Sequence, residues 1–466
     1  MAGQSSAAAE STGSGPAKNV NTNRSKISFG TPKWEEVVPM LDTANLSGLK
    51  TAGHAATSEE ASPMTNTVNI APGNTLHGTS ETGWEASKQE TINIVDGKTP
   101  QVESKPGDTR PRAETVNIEK METPDGAVFK IEIPRGMKMI RIPDCVMSFM
   151  SIAPTIHPLY AEVKAETEAW LCKELGADDK LSKRITKTDW SYFASASAPL
   201  ASKEDLKILC DWGNWVFPFD DPLDNGHLKD DPVKAKEMVD GTLAAMRGKV
   251  PETFAIAMVH NDIWERILSV ISSIPNMQDR YAAAMEGYVA GALRHVQDFA
   301  EAKIPDLEDF IKVRSASAGV RPIIPMVELL HHIQVPDAVY SHPCLEKFRQ
   351  TVVDMVILND VLSYQKEENE GVPHNLITVL RHTGMSTQEA FDTVGGMLQK
   401  AYREWYIAQA DLPLWGEKID ADVQKFIEGC RNIMLANLNW HFKCDRYLPS
   451  IKEVVRKCRV IVVKDQ

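Results

Sequence analysis

The chain has 466 residues, a formal net charge of −13 and 42% hydrophobic residues, enough length for one large domain plus an extension and a charge that argues against nucleic acid as the main partner. Its seven cysteines (145, 172, 210, 344, 430, 444 and 458) show no CxxC spacing, which argues against a zinc site or redox pair and fits buried thiols in a reducing cytosol. No stretch approaches 18 uninterrupted apolar residues and Met1 to Ser6 carries no charged-then-apolar pattern, so no membrane span is expected and cytoplasmic location is the default.

Up to residue 135, Leu, Ile, Val and Phe make up about 16% of the chain, below the roughly 20% under which a chain struggles to bury a core. Residues 1–135 therefore read as a disordered, low-complexity extension. Within it a short unit recurs every 24 residues: Thr43-Ala44-Asn45-Leu46, Thr67-Val68-Asn69-Ile70, Thr91-Ile92-Asn93-Ile94 and Thr115-Val116-Asn117-Ile118. The sequence between the units is too polar to stack as a solenoid, so duplicated linker is the preferred reading and a docking tail the alternative.

Residues 136–466 read as a helical domain. Apolar spacing predicts helices over 152–171, 206–219, 233–246, 253–274, 277–299, 307–312, 325–333, 344–366, 376–382, 387–410 and 419–440. Few stretches alternate as strands do. The expected architecture is all-α, a bundle of ten or more helices around a central cavity. Lys366 to His374 reads as a helix end passing into a lid.

Two acidic motifs in this domain carry the chemistry. The first is Phe219-Asp220-Asp221-Pro222-Leu223-Asp224, with Asp220 and Asp224 four apart. Pro222 disfavours helical geometry at Asp221, so the motif reads as the fraying end of a helix at a cavity mouth. The second is Asn359-Asp360-Val361-Leu362-Ser363-Tyr364-Gln365-Lys366-Glu367. Asn359, Ser363 and Glu367 recur every four residues, and each such step drifts only about 40° around a helix. They form one stripe of amide oxygen, hydroxyl and carboxylate, hard donors that suit Mg²⁺. Lys366 beside them could reach a phosphate as a point charge.

Together the motifs resemble those of the class I terpene synthases, specifically the fungal sesquiterpene cyclases, whose patterns are DDxxD and NDxxSxxxE. The resemblance covers about Arg141 to Arg459. It implies a class I terpenoid synthase-like helical bundle that binds farnesyl diphosphate, ionises it with three Mg²⁺ ions and cyclises the carbocation in an apolar, aromatic-lined cavity. It also implies roles. Asp220, Asp221 and Asp224 would hold metal on one side, and Asn359, Ser363 and Glu367 on the other. Arg314, which stands 45 residues before Asn359, would bind the diphosphate with Lys366, Arg446 and Tyr447. Ser317 and Ala318 would supply the linker and carbonyl of a helix break.

Trp212, Phe217 and Trp440 are candidates for the cavity wall, as are Trp215, Trp264 and Tyr288. His331 and His332, side by side, cannot face one ligand from a helix and read as surface or core residues. A chain-elongating prenyltransferase is an alternative, though such an enzyme usually carries a second DDxxD motif where this chain has Asn, Ser and Glu. A catalytically silent helical binding protein is another. Monomer and homodimer both remain open.

Overall fold

The structure, a computed structural model, describes residues 115–123, 126–249, 254–272, 274 and 276–465, together with the backbone of Thr91–Ile92. Most of the predicted extension lies outside these residues, and its last part corrects the expectation of disorder. Strand β2 (Thr115–Glu122) pairs antiparallel with β3 (Val128–Pro134), and β1 (Thr91–Ile92) lies parallel to β3 on its other edge. Phe129, Ile131 and Ile133 alternate onto a buried face, a period-2 signal that a low regional average conceals. The repeat unit 115–118 therefore falls on β2 and the first two residues of the unit at 91 fall on β1, while the rest of the repeat lies outside the described residues.

A second sheet joins β4 (Met137–Arg141) to β5 (Val460–Lys464), antiparallel, near the two ends of the helical domain. Neither strand was expected. Val460 to Val463 are all buried, and Gln365 Nε2 donates to Val462 O at 2.7 Å. This sheet thus braces the helix that carries the second motif.

The helices between are α1 (Tyr160–Glu174), α2 (Asp179–Thr188), α3 (Trp190–Ser197), α4 (Lys203–Asp224), α5 (Pro232–Met246), α6 (Ala255–Ile271), α7 (Met277–Ala300), α8 (Leu307–Ser317), α9 (Val320–His331), α10 (Asp337–Tyr340), α11 (Pro343–Asp354), α12 (Ile357–Glu370), α13 (Leu376–His382), α14 (Thr387–Ala410), α15 (Glu417–Lys443) and α16 (Lys452–Cys458). Some of their starts are capped by side chains. Ser202 caps α4 by accepting from Asp205 N–H, Asp306 caps α8 at Asp309 N–H, and Ser386 with Glu389 forms a capping box on α14. Helix α4 packs against α1, α3, α6 and α7, while α15 packs against α3, α9, α11 and α12. The cavity lies between these groups.

Several predicted boundaries move: 307–312 extends to Ser317, 325–333 becomes Val320–His331, and three others have a local cause. Pro154 and Pro158 hold 152–159 outside a helix, so α1 starts at Tyr160. Helix α4 runs on through Pro218 and Pro222 to Asp224, so the first motif is helical. The single helix expected over 344–366 is two, parted at Met355 and Val356, where Val356 N–H turns back tightly to Val353 O. Both flanks of that break are β-branched, which weakens the helix there.

Candidate active site

The first motif occupies the last turn of α4. Asp220 accepts from Tyr288 Oη of α7 at 2.5 Å. Burial, and then neighbouring Asp224, push the Asp220 carboxyl well above the usual carboxylate range. Burial also raises Asp224, to about 6, against the pull of the Arg314 guanidinium. Two desolvated carboxylates on one helix face resist ionising together, the situation a divalent cation relieves. Asp221 is different. Arg446 Nη2 reaches its Oδ1 at 2.8 Å and Arg184 Nη1 its Oδ2 at 2.9 Å. Burial alone would raise Asp221, but these two guanidiniums outweigh it and hold the carboxyl below its ordinary value. Both oxygens are thus engaged by arginines. Arg184, from α2, is a site residue that sequence reasoning missed.

The second motif lies on α12, across the cavity. The Ser363 hydroxyl is buried and has no hydrogen-bond partner among the described residues, an orphan whose burial costs free energy unless a ligand takes it up. Asn359 Nδ2 donates to Tyr447 Oη at 3.4 Å. Glu367 Oε2 accepts from Asn375 Nδ2 at 2.9 Å, while burial and the Asp360 charge raise its carboxyl. These donors fit a hard cation. Among the described residues no three His, Cys, Asp or Glu side chains converge on one metal. The donors are divided between two helices and mixed with amide and hydroxyl oxygens, which suits metals shared with a bridging ligand rather than an all-protein cage.

The cationic groups surround the same space. Arg314 donates from both Nε (2.8 Å) and Nη2 (2.6 Å) to Asp360 Oδ1. Asp360 Oδ2 accepts Leu376 N–H at 2.9 Å, and Asp360 O accepts Asn375 Nδ2 at 2.9 Å. One buried carboxylate therefore aims Arg314 and anchors the start of α13. Arg446 lies over the Phe217 ring at 4.4 Å, with its Nε buried and unpartnered. Lys366 and Asn225 both reach Glu370 Oε2, at 2.6 and 2.8 Å, tying α12 to the end of α4 across the mouth. Between α8 and α9 the chain breaks at Ala318 and Gly319. Gly319 takes φ +71°, a left-handed conformation that L residues rarely adopt.

Residues 211–404 match the family described as "Terpene synthase family 2, C-terminal metal binding". Over 338 residues the chain is 36% identical to silphinene synthase of Penicillium patulum, covering 70% of this chain and 90% of the relative. The chain belongs to the terpene synthase family. The (+)-eremophilene synthase of Gibberella fujikuroi is 34% identical over 70% of this chain and 93% of its own length. The crystal structure of a-eudesmol synthase superposes with a TM-score of 0.56, at 21% identity, over 63% of this chain and 97% of that one, which supports the fold.

The cavity of this terpene cyclase measures about 130 Å³ to the centres of water-sized spheres, against about 10 Å³ for a second pocket beside Arg184. Only the first has room for more than a water or so. Both motifs line it through Asp220, Asp221, Asp224, Asn359 and Glu367, as do Arg314, Ser317, Ala318, Lys366, Arg446 and Tyr447. Ser363 is not among the residues that line it. Trp212, Phe217 and Trp440 line it, whereas Trp215, Trp264 and Tyr288 do not. Trp215 stacks on Phe219 and Trp264 on Tyr281, with their indole N–H groups on Ile256 O and Met246 O. Tyr288 serves Asp220 instead. The wall also holds Trp190 and Phe193 of α3, which the sequence reading did not single out. Trp190 meets Trp440 edge-on at 5.4 Å and lies so close to α4 that a Cβ on Gly213 would sit 1.3 Å from its Nε1. His332 pairs with Asp205 at the surface and His331 stands outside the site, as expected.

Proposed function

We propose that this enzyme is a sesquiterpene synthase that ionises farnesyl diphosphate with Mg²⁺ and cyclises the resulting cation. The observation that carries the reading is the lining of one cavity, where metal-fitting oxygens and guanidiniums meet indole and phenyl rings. Mg²⁺ ions, three by family resemblance, would neutralise the charge that grows on the departing diphosphate. Asp220 and Asp224 would hold metal from α4, and Asn359, Ser363 and Glu367 from α12. Asp221, an expected ligand, acts instead by holding Arg446 beside the site. Arg314, Lys366, Arg446 and Tyr447 would receive the diphosphate oxygens, as positioned donors that need no reorganisation when charge develops. The Arg314–Asp360 geometry orients one guanidinium edge before substrate arrives.

Once the C–O bond has broken, the wall takes over. Trp190, Trp212, Phe217 and Trp440 present π faces that stabilise a passing carbocation, and the apolar residues around them exclude the water that would quench it. The test is diphosphate release by the purified chain given farnesyl diphosphate. Release that requires Mg²⁺ and stops with chelator supports the reading. No release at saturating Mg²⁺ refutes it.

A further inference from the structure

The cavity contains two uncharged bases besides its metal-fitting and cationic groups. His295 of α7 and His374, in the 371–375 segment that joins α12 to α13, both line it. Their rings lie 4.2 Å apart at 44°. His295 Nε2 is 2.7 Å from Ser317 Oγ, and that hydroxyl donates onward to Arg314 O at 3.4 Å. In the tautomer with its ring proton on Nε2, His295 donates to Ser317 Oγ and keeps a lone pair on Nδ1. No hydrogen bond engages the His374 ring among the described residues. Of the other ionisable groups at the cavity, the arginines, Lys366 and the carboxylates are committed to ion pairs or to the metal-fitting sets, and the Tyr447 hydroxyl accepts from Asn359 Nδ2.

We propose that the His295–His374 pair is the proton acceptor that ends the cyclisation. The inference rests on the proposed function, and it follows from the chemistry of a hydrocarbon product: a carbocation becomes an alkene only by losing a proton. The C–H bond next to the cationic carbon breaks, its electron pair becomes the new C=C bond, and the proton forms an N–H bond on imidazole. The resulting imidazolium passes its proton to solvent when the site opens. Burial, then the neighbouring positive charge of Arg314, lowers His374 to about 4, and burial puts His295 well below its ordinary value. Both rings are therefore neutral before the reaction. A base this weak still suffices, since a carbocation is a far stronger acid than imidazolium. Its weakness keeps it unprotonated and adds no positive charge along the path of the cation.

The experiment uses the full chain with farnesyl diphosphate and Mg²⁺, comparing wild type with His295→Asn and His374→Gln. Two quantities are read together: diphosphate released, and products resolved by gas chromatography–mass spectrometry. The expected result is that main hydrocarbon per diphosphate released falls roughly tenfold or more, with water-quenched alcohols or earlier alkenes in its place. His374→Gln decides the matter if the buried His295 variant does not fold. An unchanged product ratio in the folded variants overturns the proposal and leaves the departing diphosphate as the base. Product and diphosphate falling by the same factor also overturns it and assigns the pair to positioning. A wild type that releases no diphosphate overturns the proposed function itself, a failure distinct from either.

Discussion

Removing the Asp360 carboxylate tests how the site holds its arginine. Asp360 is 1% exposed and accepts two hydrogen bonds from Arg314 through one oxygen and one from Leu376 N–H through the other. Breaking a buried pair by deleting one partner costs about 3–5 kcal/mol, because the surviving charge is left uncompensated. That is a large share of the roughly 5–15 kcal/mol that separates folded from unfolded domains. Asp360→Asn keeps an oxygen for Leu376 N–H, and Glu367 and Asp224 still face Arg314, so its expected cost lies near about 3 kcal/mol. Asp360→Ala also strands the Leu376 N–H and should cost about 1–3 kcal/mol more. The assay is urea unfolding of the full chain for both variants, for Arg314→Met and for Arg314→Met/Asp360→Leu. The double variant removes both charges and should recover much of the loss, giving a coupling energy of at least about 1 kcal/mol. Single losses within about 0.5 kcal/mol of wild type, typical of exposed surface sites, with no coupling, would refute the argument.

Asp220→Ala should reduce Mg²⁺-dependent diphosphate release by orders of magnitude while leaving the unfolding midpoint near that of wild type, since relief of repulsion with Asp224 offsets the stranding of the buried Tyr288 hydroxyl; near-normal turnover would remove the first motif from the mechanism. Ser363→Ala deletes a hydroxyl with no protein partner, so stability without ligand should hold while the thermal shift given by Mg²⁺ plus inorganic diphosphate shrinks. Gly213→Ala places a methyl on Trp190 and should cost about 1–3 kcal/mol through overpacking, with an altered product ratio by gas chromatography as Trp190 leaves its place in the wall. Truncation should show a sharp boundary: deleting residues 1–114 leaves soluble activity largely intact, whereas deleting 1–141 removes β4, bares the buried side of β5 and loses soluble protein.

The metal-fitting residues were legible because their signal is local. A stripe at i, i+4 and i+8 is a property of a helix surface, and α12 presents Asn359, Ser363 and Glu367 as the spacing requires. What Asp221 does was not legible, because its partners Arg184 and Arg446 come from distant parts of the chain and only folding brings them to one carboxylate. The aromatic wall divides in the same way. Periodicity says that Trp215 and Trp264 are buried but not whether the buried face meets the cavity or the packed core, and α3 was missed because Ser191 to Ser197 is too short and too rich in Ser and Ala to show a period. The β2–β3 hairpin escaped because composition was averaged over a region in which one stretch alternates. The break at Met355–Val356 was hidden by an apolar run that reads as one buried helix. It places both residues on the cavity wall.

The central claim is tested most directly by incubating the purified chain with farnesyl diphosphate, with and without Mg²⁺, and analysing the extract by gas chromatography–mass spectrometry. The account predicts a C15 hydrocarbon or alcohol that forms only with Mg²⁺. No product from farnesyl diphosphate, with geranyl and geranylgeranyl diphosphates also inert, would contradict it.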